Sequence, residues 1–263
     1  MKKTKLLNGQ EVFCITSREA QVLHEHINGY IDDFIKIRRD DTIIDIGANI
    51  GIFGLELSLK YPNIKIFSFE PILNIFSVLK ENAKISQNKN FKFYNYGISN
   101  KDETIEFTYF PNAPALSSSN NEISGSKKDL TEAFAGNLEN APDSWWWKKF
   151  IPKFTYPYII NYLMKNKRQI TCKVKPLSKV IDSLLIKKIN LLKIDCEGNE
   201  HKVIDGIKEK NWKIIEQLII EINDIDGRLN YIKNKLEKLG YDIKILKEPA
   251  LEKTNLYNLF AKK

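Results

Sequence analysis

Between Thr42 and Tyr96 the chain alternates short apolar runs with longer stretches in which apolar residues recur every three or four positions. Thr42–Ile46, Ile64–Phe69 and Phe91–Tyr96 are short and bounded by polar or glycine-containing turns, which predicts buried strands. Ile50–Leu59 and Ile72–Ile85 predict helices, and Ile75, Val78, Leu79, Asn82 and Ala83 line one face of the second at helical spacing. Strands alternating with helices of this length predict a mostly parallel sheet with right-handed crossovers. Further strands are expected at Thr104–Phe110, Gln169–Lys175, Ile189–Ile194 and Gln217–Ile222. A helix runs from the acidic segment after Ile194 to about Gly206, and another covers Arg228–Leu239, stopped by Gly240. Tyr241–Leu246 and Leu256–Ala261 then read as an antiparallel pair at the sheet edge.

Two regions depart from the alternation. Residues 1–40 read as an N-terminal cap, with a hairpin-like Leu6–Ile15 and a helix over Ser17–Phe34. Residues 111–168 hold Pro111, Pro114, a Ser117–Asn121 polar run, Trp145–Trp147, Pro152 and Pro157. That insertion is too long for a passive connection and too aromatic for a disordered one, so a partly helical lid is expected. No internal repeat is visible, and residues 1–263 are expected to form one α/β domain.

Composition narrows the classes. Hydrophobic residues make up 43% and charged residues 28%, as in a globular chain with a full core. No apolar run reaches the roughly 18 residues a membrane span needs. The start, MKKTKLLNGQEVF, has no apolar core and is not expected to be a signal peptide. Cys14, Cys172 and Cys196 have neither zinc nor disulfide spacing, which suits a reducing cytoplasm. The net charge of +8 is spread along the chain, so no nucleic-acid partner is expected from it; an acidic carrier protein or phosphate-bearing substrate would also profit from it.

The chemistry concentrates at predicted strand ends. Asp41–Gly54 reads DTIIDIGANIGIFG: a strand, a glycine turn, then a helix start, which is the layout of a nucleotide-type pocket. It lacks G-x-G-x-x-G, and Asp45 precedes Gly47-Ala48-Asn49-Ile50-Gly51, so the anion repels a pyrophosphate and suits the cationic amino-acid part of S-adenosylmethionine (SAM). Glu70, followed by Pro71, ends the next strand where an acid can hold a ribose diol. Ligands of open α/β sheets sit at the carboxyl ends of the strands, which gathers Asp45, Glu70, Gly97, Asp195 with Glu197, and Glu221 with Asn223. Asp195 and Glu197 are expected to serve function; Glu200 reads as a helix-first-turn acid. Asp195, Glu197 and Asn223 would also suit magnesium, a rival to a metal-free site. Tyr30 is placed to pack on the cofactor, while His24 and His26 receive no role.

The set DIGANIG, FEP, KIDCEGNE and IEINDIDGRL resembles the FkbM-type SAM-dependent methyltransferases over roughly residues 5–262. YFPNAPALSSS, EINDIDGRL and TNLYNLFA look like the subgroup of polyketide and non-ribosomal-peptide pathways, which commonly methylates hydroxyl oxygens. The resemblance implies a Rossmann-like class I methyltransferase fold with seven strands. It implies SAM on Asp45, Gly47, Asn49, Gly51 and Glu70, with Pro71, Gly97, Ile98 and Asp195 around it, and methyl transfer at Asp195 and Glu197. The substrate would be a small-molecule or carrier-protein-bound hydroxyl of a natural product. One departure stands out: the subgroup reads Glu-Val-His-Asp where this chain has Glu221-Ile222-Asn223-Asp224, and an amide cannot act as a base. Asn223 is then left to orient the substrate. The rivals are a methyltransferase for a sugar or other hydroxyl, an RNA methyltransferase, an NAD(P)-dependent oxidoreductase and a catalytically dead binding module. The oxidoreductase lacks its glycine fingerprint and a Tyr-x-x-x-Lys relay. A base methyltransferase would want an Asn/Asp-Pro-Pro-Tyr clamp. The intact acid-glycine set speaks against a dead module.

Overall fold

The structure is a computed structural model that describes residues 1–119, 127–140, 148 and 150–263. Asn120, Asn121 and Trp145–Trp147, expected in the lid, lie outside the described residues. The strands are β1 (Lys2–Lys5), β2 (Glu11–Cys14), β3 (Thr42–Ile46), β4 (Lys65–Phe69), β5 (Phe91–Tyr94), β6 (Gly97–Ser99), β7 (Glu103–Tyr109), β8 (Arg168–Pro176), β9 (Leu191–Ile194), β10 (Gln217–Asn223), β11 (Asp242–Leu246) and β12 (Leu256–Lys262). The helices are α1 (Ser17–Asn28), α2 (Ile52–Lys60), α3 (Leu73–Ile85), α4 (Lys127–Glu139), α5 (Tyr156–Leu163), α6 (Leu177–Ser183), α7 (Glu200–Asp205), α8 (Glu209–Trp212) and α9 (Arg228–Lys238).

A seven-stranded sheet runs β11-β12-β10-β9-β3-β4-β5. β5, β4, β3, β9 and β10 are parallel, and β12 is antiparallel to both β10 and β11. The parallel strands therefore end on one edge. Alternation along them splits the core. Ile44, Ile46, Leu192, Ile194, Ile220 and Ile222 pack with Val180 and Ile181 of α6, Val203 and Ile204 of α7, and Ile232 and Leu236 of α9. Ile43, Leu191 and Ile219 face the other way, toward Phe53 and Leu57 of α2 and Ala83 of α3. Both faces are buried, as a parallel sheet requires.

Three details differ from the sequence expectation. β7 and β8 leave the main sheet and pair antiparallel, with β6 on the far side of β8, in a separate three-stranded sheet. The hairpin pairs β1 with β2, so Leu6–Gln10 is its turn and not its first strand. Helix α1 stops at Asn28, short of Phe34, and Asp32 turns the chain by accepting the N–H groups of Phe34 (2.7 Å) and Ile35 (3.0 Å).

Candidate active site

A cavity of about 280 Å³ opens at the carboxyl edge of the sheet. The β3–α2 turn forms one wall. Gly47, Asn49 and Gly51 all take left-handed backbone angles, with φ of 72°, 49° and 80°. Asn is one of the few side-chain-bearing residues that tolerates this region, and its Oδ1 accepts the Ile50 N–H at 2.7 Å. Gly47 has a second constraint: a Cβ there would lie 1.6 Å from the carbonyl oxygen of Asp195. The glycine thus lets the turn press against the end of β9.

Glu70 closes β4 and lines the cavity, only 5% exposed. Its two carboxylate oxygens accept the N–H groups of Asn49 (3.1 Å) and Ile72 (2.9 Å). Burial still pushes its carboxyl up to about 8, against those two donors. A buried carboxylate with open space beside it fits a ligand that brings hydroxyl donors.

Beyond β9 the chain turns sharply, with Glu197 at a φ of 50°. Glu200 shapes this turn. It accepts the N–H groups of Cys196 (3.1 Å) and Gly198 (2.8 Å) and is 2% exposed, so it acts on the loop and not in the cavity. Asp195, Glu197 and Glu221 each place one oxygen within 4.8 Å of the others. Burial pushes the Glu197 carboxyl well above the ordinary carboxylate range, helped by Asp195, Glu221 and Glu200 and opposed by His26.

Two cations balance this cluster. Lys193, 3% exposed, sits directly across from Asp45 in the parallel register; its Nζ lies 3.4 Å from Asp45 and 3.1 Å from Asp195. Ser68 adds a hydrogen bond to Asp45 at 3.2 Å. His26, on the last turn of α1, pairs through Nε2 with Glu221 and through Nδ1 with Glu248 at 2.9 Å. Burial opposes its charge, but the two carboxylates outweigh burial and hold the imidazole well above 6.5. His26 therefore straps the cap helix to β10 and to the loop after β11.

Of the residues expected at the site, Gly47, Asn49, Glu70, Pro71, Gly97, Ile98, Asp195, Glu197 and Asn223 line the cavity together. Asp45, Tyr30 and Gly51 do not line it. Asp45 is fully buried behind the wall against Lys193 and Ser68. Tyr30 is packed on Phe53 and lies 3.5 Å from Glu221. Gly51 starts α2. His26, Lys193 and Glu248 were not singled out from sequence. Lys193 had a signal, a lone lysine in an apolar strand two residues before Asp195 and hence on the same face. His26 and Glu248 had none, because their partners lie far along the chain. The 111–168 insertion adds Pro114–Ser117, Ser119, Leu130, Ala133, Asn137 and Met164 to the cavity lining.

The strap has a measurable consequence. A histidine whose folded pKa is raised contributes its full stability below 6.5 and loses it as pH rises through the raised value. His26→Gln should therefore remove a slope in stability above pH 6.5, read from denaturant midpoints across pH; an unchanged slope would show the imidazole to be neutral in the fold.

The sheet order, its one reversed strand and the glycine turn facing an acidic edge make this a class I methyltransferase fold. The solved structure of methyltransferase FkbM from Methylobacillus flagellatus KT superposes with a TM-score of 0.51 at 13% identity, covering 86% of this chain; the chain spans 44% of that structure's length. Residues 45–243 match the methyltransferase FkbM domain family, and the chain belongs to that family. Its relatives include the 31-O-demethyl-FK506 methyltransferase FkbM of Streptomyces tacrolimicus, 26% identical over 98% of this chain and 96% of the relative. The methyltransferase sdnD of Sordaria araneosa is 29% identical over 88% of this chain and 85% of the relative. The fold and family implied by the sequence resemblance are thereby established.

Proposed function

We propose that the protein transfers a methyl group from SAM to a hydroxyl oxygen of a polyketide or peptide natural-product intermediate, either free or bound to a carrier protein. The observation that supports this most is the cavity that brings the Gly47–Asn49 turn, Glu70 and the Asp195–Glu197–Asn223 edge to one place. The Streptomyces tacrolimicus relative, a 31-O-demethyl-FK506 methyltransferase, points to the same reaction type. SAM, when bound, supplies an electrophilic methyl on a sulfonium.

The protein's own groups do the rest. Glu70 accepts ribose hydroxyls, and Gly47 allows close backbone approach. Pro71, Gly97 and Ile98 border the cofactor. Tyr30, Asp45 and Gly51 act from behind the wall, holding its shape. Asn223 orients the acceptor hydroxyl. Asp195 and Glu197 take its proton. Pro114, Leu116, Leu130 and Met164 of the insertion exclude water from the cavity. Lys193 and His26 already compensate the carboxylate cluster, which favours a metal-free reaction over the magnesium alternative. No helix among the described residues is long and apolar enough to cross a membrane, and the three cysteines are free, which suits a cytoplasmic enzyme.

The test is transfer of label from SAM to candidate pathway alcohols, with a chelator arm expected to leave turnover unchanged. SAM at 100 times its Kd should stabilise the fold by about 2.7 kcal/mol. Glu70→Ala should lose SAM affinity, since charge-assisted hydrogen bonds of roughly 1.5–3 kcal/mol are removed. Full affinity in that variant would remove Glu70 from the cofactor site.

A further inference from the structure

We propose that the outer face of α5 and the turn before it seats the protein on an anionic bilayer surface. Helix α5 is two-sided. Tyr156 and Ile160 are buried, the Tyr156 ring meeting Phe134 of α4 edge-on at 5.2 Å, and Met164 just beyond the helix lines the cavity. The other side carries Tyr158 and Tyr162, with Phe154 in the turn just before the helix; the three are spaced four residues apart and are 73%, 63% and 74% exposed. Large aromatic rings standing in water along one helical stripe mark an interaction surface.

The charge around the stripe selects the partner. Lys153, Lys165, Lys167 and Arg168 are exposed at its two ends, with Glu139 meeting Lys153 at 3.1 Å. From Ser144 to Ile181 the sequence carries no carboxylate. The chain has 33 Asp and Glu in 263 residues, about one in eight, so a stretch of this length would ordinarily carry several. Tyr and Phe beside Lys and Arg is the composition of a surface lying at headgroup depth, where rings enter the interface and basic heads meet anionic lipid. Docking there would hold the roof of the cavity against the membrane. The proposal stands apart from the methyl-transfer reading, because vesicle binding is measured without turnover.

The test is co-sedimentation of the full chain with phosphatidylcholine vesicles and with vesicles containing roughly one-third phosphatidylserine, at roughly 0.1 M salt. The expected result is about tenfold tighter binding to the anionic vesicles. Phe154→Ser/Tyr158→Ser/Tyr162→Ser and Lys165→Glu/Lys167→Glu/Arg168→Glu should each lose that gain. Lys208→Glu/Lys210→Glu/Lys213→Glu, an equal charge change near α8, should keep it. All substituted side chains are solvent-exposed, and unchanged melting temperatures will show that each variant folds. Equal binding to both vesicles would overturn the proposal. So would an equal loss in the α8 set, which would mean adsorption by net charge, or full binding by the aromatic variant. Binding to soluble polyglutamate without binding to vesicles would overturn it too, and would assign the face to an acidic protein.

Discussion

Lys193→Met will destabilise the folded protein by about 3–5 kcal/mol, because it leaves a buried carboxylate without its cation. Asp45 is fully buried, and Lys193 is its cross-strand partner. Burial already raises the Asp45 carboxyl above 3.8, and Lys193 is the largest influence pulling it back. In the variant the carboxyl rises further. A carboxyl with a raised folded pKa gives its full stability below 3.8 and loses it as pH rises through the folded value. The deficit of Lys193→Met should therefore shrink as pH falls toward 3.8 and grow above it. Asp45→Asn/Lys193→Met should recover part of the loss. Chemical denaturation across pH measures all three, and a small, pH-independent deficit would show that the pair carries little.

Asp195→Asn should lose about 10²–10⁴-fold in turnover with the fold intact, the usual contribution of a general base. Asp195 ends β9 in the cavity, with Lys193 3.1 Å away. Glu197→Gln should remove the acidic limb of the pH–rate profile, and in the parent protein that limb should lie above the ordinary carboxylate range. Asn223→His offers an independent comparison, since an imidazole there would add a titration near ~6.5. If Asp195→Asn and Glu197→Gln both turn over at the parent rate, proton removal by the carboxylates is excluded and positioning alone carries the rate.

The main sheet was legible because its strands are buried on both faces. Ile43-Ile44-Asp45-Ile46 and Leu191-Leu192-Lys193-Ile194 read as near-continuous apolar runs, the mark of parallel strands between helices. β7 and β8 alternate polar and apolar instead, as in Glu103-Thr104-Ile105-Glu106-Phe107, which is the pattern of an antiparallel sheet with one wet face. That difference was in the sequence and separates the second sheet from the first. The cavity-lining residues at strand ends were legible for a topological reason: parallel strands deliver their last residues to one edge whatever their partners. What stayed hidden was pairing at a distance. Asp45 reads as a ligand residue from its motif, and only the register shows Lys193 facing it. His26 reads as a surface histidine on α1, and only the fold brings Glu221 and Glu248 to its two nitrogens.

The His26 strap also dictates when the site can come into being. Glu221 is 195 residues beyond His26, and Glu248 lies later still. A chain emerging from the ribosome would hold α1, the glycine turn and β4 long before either partner was available. Until β10 and the β11–β12 pair are made, β9 has no neighbour on that side, and the cap helix has nothing to close onto. The half-built sheet would expose an unpaired strand edge for most of synthesis, the state in which α/β chains are most prone to misassociation. Completion of the cavity thus waits on the C-terminal strands, the last part of the chain to be translated.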